Sequence, residues 1–168
     1  MQSPKGKMKP IKVLRDVRQS VSEILDKPFT EHIDHQLFKP DQKILAVLAA
    51  DCAGHVLPYF ESKHPNDDRP RKAIEACRRW AATGVFRMAD IRKASLEAHA
   101  SAREAKEDNV IAAARAAGQA VVMARMSTHA FGASVYAIRA AAAHSGNADD
   151  DTKERDWQLA RLHQIANV

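Results

Sequence analysis

Apolar residues recur along the chain at steps of three and four, the spacing that lines them up on one face of a helix. Val13, Leu14, Val17, Val21, Ile24 and Leu25 mark a first helix from Pro10 to about Leu25, closed by Pro28. A short helix over Thr30 to Leu37, with Thr30 as N-cap, is stopped by Pro40. From Asp41 the stripe strengthens: Ile44, Leu48, Cys52 and Val56 repeat at i+4, joined by Leu45, Val47 and Leu57. Pro58 lacks an N–H and crowds the turn before it, so it is expected to kink or split this helix and leave Tyr59 to His64 as a short continuation. Pro65-Asn66-Asp67-Asp68 reads as a loop, and Asp67 or Asp68 as the cap of a helix with Pro70 in its first turn. Ala73, Ile74, Cys77, Trp80 and Ala81 are the inner face of that helix, and Gly84 is its stop.

Three helices rich in alanine follow. The first runs from Met88 to about Ala105 on a spine of Ile91, Ala94, Ala98 and Ala102. The second starts at an Asp108 cap and carries Val110, Ile111, Ala114, Ala117, Gly118, Val121 and Val122. The third starts near Thr128 and carries Phe131, Val135, Ile138 and Ala142. An acidic loop, Gly146 to Asp151, leads to a last helix; Asp151 and Glu154 match a capping box, and Trp157, Leu159, Leu162 and Ile165 dock it. No convincing run alternates with period two. The pattern predicts an all-α fold, a compact bundle or short stack of about seven to eight helices, in one domain over residues 10–168. Residues 1–9 are basic and aperiodic, and read as a disordered arm.

Composition sharpens this picture. Alanine supplies 31 of 168 residues and Phe, Trp and Tyr together only 9, so the seams between helices are expected to be shallow and close-packed. Two cysteines rule out a disulfide scaffold; Cys52 and Cys77 lie on inward stripes and read as small buried hydrophobes. With no run of 18 uncharged apolar residues and no apolar core in the basic N-terminus, the expectation is a cytoplasmic protein without a membrane partner.

The chemistry on offer is thin. Glu31-His32-Ile33-Asp34-His35 sets two imidazoles three apart beside two carboxylates, short of the three or four ligands a metal site wants. His99 and His129 sit among alanines, and Asp51 is the one carboxylate attractive as their partner. Gly118 and Gly132 read as points where helices cross closely. There is no Gly-rich phosphate loop, nucleophile elbow or dinucleotide fingerprint. No catalytic residue, metal ligand or cofactor is assigned, and an enzyme is disfavoured. A metal-dependent enzyme built on the histidines stays as a minor alternative.

Charge is the stronger signal, with a formal net charge of +5. Residues 69–103 hold nine cations (Arg69, Arg71, Lys72, Arg78, Arg79, Arg87, Arg92, Lys93 and Arg103) against Glu75, Asp90 and Glu97. Such a stripe could meet phosphates or an acidic protein, yet it lacks the aromatic platforms that single strands stack on.

From Asp51 the residues fall into a recognisable order: Asp51-Cys52-Ala53, His55-Val56-Leu57-Pro58, Phe60-Glu61, His64 through Ala76, then Trp80-Ala81. Further on come Ala98-His99-Ala100, Ala112 to Gly118, Thr128-His129-Ala130, Gly132-Ala133 and Trp157-Gln158. Over about residues 41–165 the chain resembles the immunity proteins of bacterial polymorphic-toxin systems. The resemblance implies an all-helical, non-enzymatic protein that binds and neutralises a toxin domain, and it brings no assigned functional residues with it. Immunity proteins that face nucleases are often acidic, whereas this chain is basic, so either its toxin is acidic at the contact or inhibition does not mimic nucleic acid. The expected contact surface is the proline-bounded loop with the helix start after it: Tyr59, Glu61, Lys63, His64, Asn66, Asp67, Asp68, Arg69, Arg71 and Lys72. The same stretch has a plainer role, the aspartates as caps and Arg69 and Arg71 as partners of nearby carboxylates. A nucleic-acid-associated protein using the 69–103 stripe is the alternative.

Overall fold

The computed structural model describes residues 39–85, 87–123, 129–147 and 149–166. Every regular element among them is a helix: α1 (Lys39–Glu61), α2 (Arg69–Thr83), α3 (Met88–Glu104), α4 (Asp108–Val122), α5 (His129–Ser145) and α6 (Asp150–Ala166). Six helices thus stand where seven to eight were expected; those expected over 10–25 and 30–37, and the 1–9 arm, lie outside the described residues.

The helix ends correct several expectations. Pro40 lies in the first turn of α1, where a missing N–H costs nothing. Pro58 lies within α1 without splitting it, and the helix continues to Glu61. The proline removes a single backbone donor, the one the Gly54 carbonyl would have received, and it does so on an exposed side of the helix. Beyond Glu61 the turn closes with Ser62 N–H donating to Pro58 O at 3.0 Å and His64 N–H to Phe60 O at 2.9 Å. Asp68 occupies the N-cap position of α2 but makes no side-chain cap bond; Asp67 Oδ1 takes the Arg69 N–H instead, at 3.2 Å. Pro70 is in the first turn of α2, as expected, and Gly84 ends that helix at φ 68, its N–H on Trp80 O at 2.8 Å. Asp108 is the first residue of α4 rather than its cap; Glu107 holds the cap position without a side-chain bond. The capping box at α6 is not made. The helix already starts at Asp150, Asp151 Oδ1 takes the N–H of its neighbour Thr152 at 2.7 Å, and Glu154 turns inward to other partners.

Short connections make successive helices antiparallel, so their ends gather at two poles. The first pole joins the C-terminal ends of α1, α3 and α5 to the N-terminal ends of α2, α4 and α6, tied by Arg69–Glu104, Lys63–Glu107 and the Tyr59–His144 ring stack. α4 touches α1, α2, α3 and α5, and α6 lies against α5 and α1. In a linear stack each unit would meet only its neighbours. The arrangement is a bundle wrapped around α4. Its buried residues are Val110, Ala112, Ala113, Ala114, Ala116, Ala117, Gly118, Ala120 and Val121, which is why an alanine-rich helix suits this central place. Larger side chains (Leu45, Leu48, Phe60, Ile74, Phe131 and Leu162) fill the core around it. By length and composition Gln42–Glu61 of α1 could cross a bilayer, but more than half of it is buried inside the fold.

Candidate functional site

The ten residues expected at the contact surface all fall at the first pole. There the structure brings most of them into contact with one another or with neighbouring helix ends. Arg69 reaches forward and back at once: its Nε and Nη2 donate to Asp67 Oδ1 and Oδ2 at 2.8 and 2.7 Å, and its Nη2 to Glu104 Oε2 on α3 at 2.5 Å. These donated hydrogen bonds hold the Asp67 carboxyl below the usual carboxylate range, and likewise that of Glu104. Arg71 forks onto both oxygens of Glu61 at 2.6 and 2.7 Å, linking α2 to the end of α1. Lys72 pairs with Asp68 at 3.0 Å, and Lys63 with Glu107 at 3.7 Å. Tyr59 stacks on His144 at 4.1 Å between ring centres, with burial raising its phenol, and His64 stacks on Phe60. Asn66 is exposed at the tip. The pairing of Arg69 and Arg71 with nearby carboxylates was legible in the sequence; the reach to Glu104 was not. The pole therefore presents Lys63, Arg69, Arg71 and Lys72 interleaved with Glu61, Asp67, Asp68, Glu104 and Glu107, a mixed surface rather than a basic one.

A second polar cluster escaped sequence reasoning. Glu154 on α6 is 4 % exposed. It lies within hydrogen-bond distance of His55 Nδ1 on α1, at 2.8 Å, and accepts from Gln158 Nε2 at 3.1 Å. Gln158 also donates to the Ser134 carbonyl on α5 at 3.2 Å and accepts from the Ser134 hydroxyl. Trp157 stacks on the His55 ring at 3.8 Å. Burial pushes the Glu154 carboxyl up, with His55 and Gln158 pulling against it. One turn before His55, Asp51 takes Arg161 Nε at 2.7 Å and Arg78 Nη2 at 3.5 Å. Both clusters tie α6 to α1. The i,i+4 spacing of Glu154 and Gln158 was the one signal available; the partner 99 residues away in sequence left none.

The other candidates separate. Asp51 is held by two arginines, whereas the His99 ring lies over Gly118 with its Nδ1 3.1 Å from Arg115 Nη1, so the candidate Asp51–His99 pairing is not formed. The side chain of His129 and the Glu31–His35 cluster lie outside the described residues. Among the described residues, no three of His, Cys, Asp and Glu converge well enough to hold a metal ion. Gly118 on α4 lies under the His99 ring of α3 and Gly132 on α5 under the Gln119 amide of α4, so each leaves room for a side chain of the neighbouring helix. Cys52 and Cys77 are free and buried; burial raises both thiols, Cys77 to about 12, and Cys77 Sγ donates to Ala46 O at 3.5 Å. A cleft of about 120 Å³ lies between α1 and α2, walled by Gly54, Pro58 and Glu61 and by Arg71, Ile74 and Arg78. That is well below the roughly 300 Å³ at which small-molecule sites begin.

The 69–103 stripe also divides. Arg69, Arg71, Lys72, Arg78 and Lys93 each face a carboxylate, the last pairing with Glu97 at 3.9 Å. Arg79, Arg87, Arg92 and Arg103 are exposed and carry no ion pair among the described residues.

No curated protein and no solved structure matches the chain. A family model does, over residues 35–165, taking in all but the last residue of the six helices and the whole charged pole. The chain belongs to the family described as Imm-5 like putative immunity protein.

Proposed function

We propose that the protein acts in the cytoplasm as a non-enzymatic immunity protein, binding a toxin domain and neutralising it by covering that domain's active site. Family membership is the observation that carries this reading. The make-up of the first pole supports it. Tyr59, Glu61, Lys63, His64, Asn66, Asp67, Asp68, Arg69, Arg71 and Lys72 are the contact surface in this reading, and most of their side chains are already held in place by ion pairs or ring stacks. A surface whose rotamers are fixed before binding loses less entropy when a partner arrives. Its alternating charges suit a partner of mixed charge, so inhibition works by shape and pairwise complementarity and not by imitation of nucleic acid. The reading takes the alanine seams behind the pole as close-packed, which makes the surface rigid.

The test is co-expression with the toxin domain encoded by the adjacent reading frame, read as growth and as complex formation. The wild-type chain protects. The triple variant R69E/R71E/K72E loses binding while its far-UV circular dichroism stays helical, and N66R, which breaks no ion pair, weakens binding on its own. A wild-type chain that neither binds nor protects overturns the function; both variants binding as well as wild type removes this surface from it. The nucleic-acid alternative retains four cations of its nine that carry no ion pair among the described residues, and predicts affinity that falls steeply with salt, with a log–log slope of about −0.9 per phosphate contact.

A further inference from the structure

Three large apolar side chains are exposed among the described residues: Val85 at 61 %, Met88 at 43 % and Leu96 at 57 %. Scattered singly, exposed apolar residues need no explanation. These three fall within twelve consecutive positions, at the α2–α3 connection and on α3. Met88, Arg92 and Leu96 follow one another at i+4, and Arg103, seven further on, returns to the same side. They form one stripe about 22 Å long at 1.5 Å per residue. Arg92 and Arg103, and Arg87 at the foot of the helix, are among the four cations of residues 69–103 without an ion pair among the described residues. Of the other cations in that stretch all but Arg79 face a carboxylate; on this face of α3 the arginines have none among the described residues and stand beside bare leucine and methionine.

We infer that this face of α3 is a docking surface for an acidic protein segment that also presents apolar side chains. It rests on the reading above only in taking a protein as the partner. Arginine is weakly hydrated and forks onto carboxylates, which makes it the cation best suited to an interface that also buries leucine. Nucleic acid would satisfy the arginines but leave Met88 and Leu96 with nothing to bury against, and the stripe has no aromatic ring for a base to stack on. Residues 1–38 of the chain hold seven Lys or Arg against five Asp or Glu, so they do not supply the complementary charge.

The test uses the full chain and a fluorescent synthetic helical peptide of about 18 residues, with glutamates on one face and leucines on the other. Anisotropy is read at about 50 mM salt beside a DNA duplex of similar length. The wild-type chain binds the peptide more tightly than the duplex. R92E/R103E weakens peptide binding at least about tenfold through loss of charge-assisted contacts, and L96S at least about threefold through loss of apolar burial. K153E, on α6, leaves it unchanged. No peptide binding by wild type overturns the inference. So does an L96S variant that binds the peptide as wild type does, or duplex binding as tight as peptide binding, either of which makes the face a bare polyanion site. A wild-type dimer dissolved by L96S would give the face to a second copy and likewise overturn it. Since no toxin is present, failure here leaves growth protection to judge the immunity reading by itself.

Discussion

At the scale of single residues, Glu154 carries the sharpest electrostatic consequence. Its carboxyl is pushed up by burial, so the unfolded chain ionises this group first as pH rises. The stability it contributes is therefore complete at acid pH and is lost as pH climbs through its raised folded value. The uncharged E154Q variant is expected to gain on wild type as pH goes from about 4 to 7, measured by urea unfolding at each pH. E154A should cost about 1–3 kcal/mol at acid pH, because the buried network loses its central acceptor, and less as pH rises. Asp67 runs the other way. Hydrogen bonds from Arg69 lower its carboxyl, so its contribution is present above the ordinary carboxylate range and is lost as pH falls through the depressed folded value. In R69A the Asp67 carboxyl is expected to titrate higher, toward its usual range, by carboxyl-carbon NMR. These two acids also show what a sequence can disclose. Asp67 sits two residues from its arginine, and a local pairing could be anticipated. Glu154 sits four residues from Gln158 near a helix start, which suggested a cap; only the approach of α1 from 99 positions away gives it its real partner.

Individual helices register the same division between local and distant causes. Periodicity located the six described helices because each has to bury a stripe, and apolar spacing records that need directly. What periodicity could not weigh was Pro58, which lies on an exposed side of α1 and costs it a single backbone hydrogen bond, so the helix runs through it. Nor could it tell what fills the space beside a small residue. A methyl group at Gly118 would sit 2.7 Å from the His99 ring, which Arg115 holds in place. At Gly132 it would meet the Gln119 amide oxygen at 2.6 Å, the far end of a flexible side chain. Replacing a helical glycine by alanine gains about 1 kcal/mol, whereas overpacking costs about 1–3. G132A is accordingly expected to be neutral or stabilising in thermal unfolding, and G118A destabilising. Placed in an H99A background, G118A should change sign and raise the melting temperature, which separates the clash from any other effect of the methyl.

For the molecule as a whole, the all-α class and the presence of a charged loop were readable from alanine content and proline placement. Which helix sits at the centre was not, because three successive helices are alanine-rich and, of these, α4 alone touches four others. Both cysteines belong to that enclosed body, and their raised thiols should stay silent toward a disulfide reagent until the chain unfolds. The labelling rate of the native protein should then equal its unfolding rate; a faster reaction at either thiol would contradict this burial. The position of α4 has one more result. Its amides have no route to bulk water through local fraying, so deuterium should reach Ala113 to Ala120 last, at the rate of global opening, while α6, held along one side, exchanges earlier. The exposed faces of the outer helices are thus open to rewriting, provided the axle they surround is left untouched.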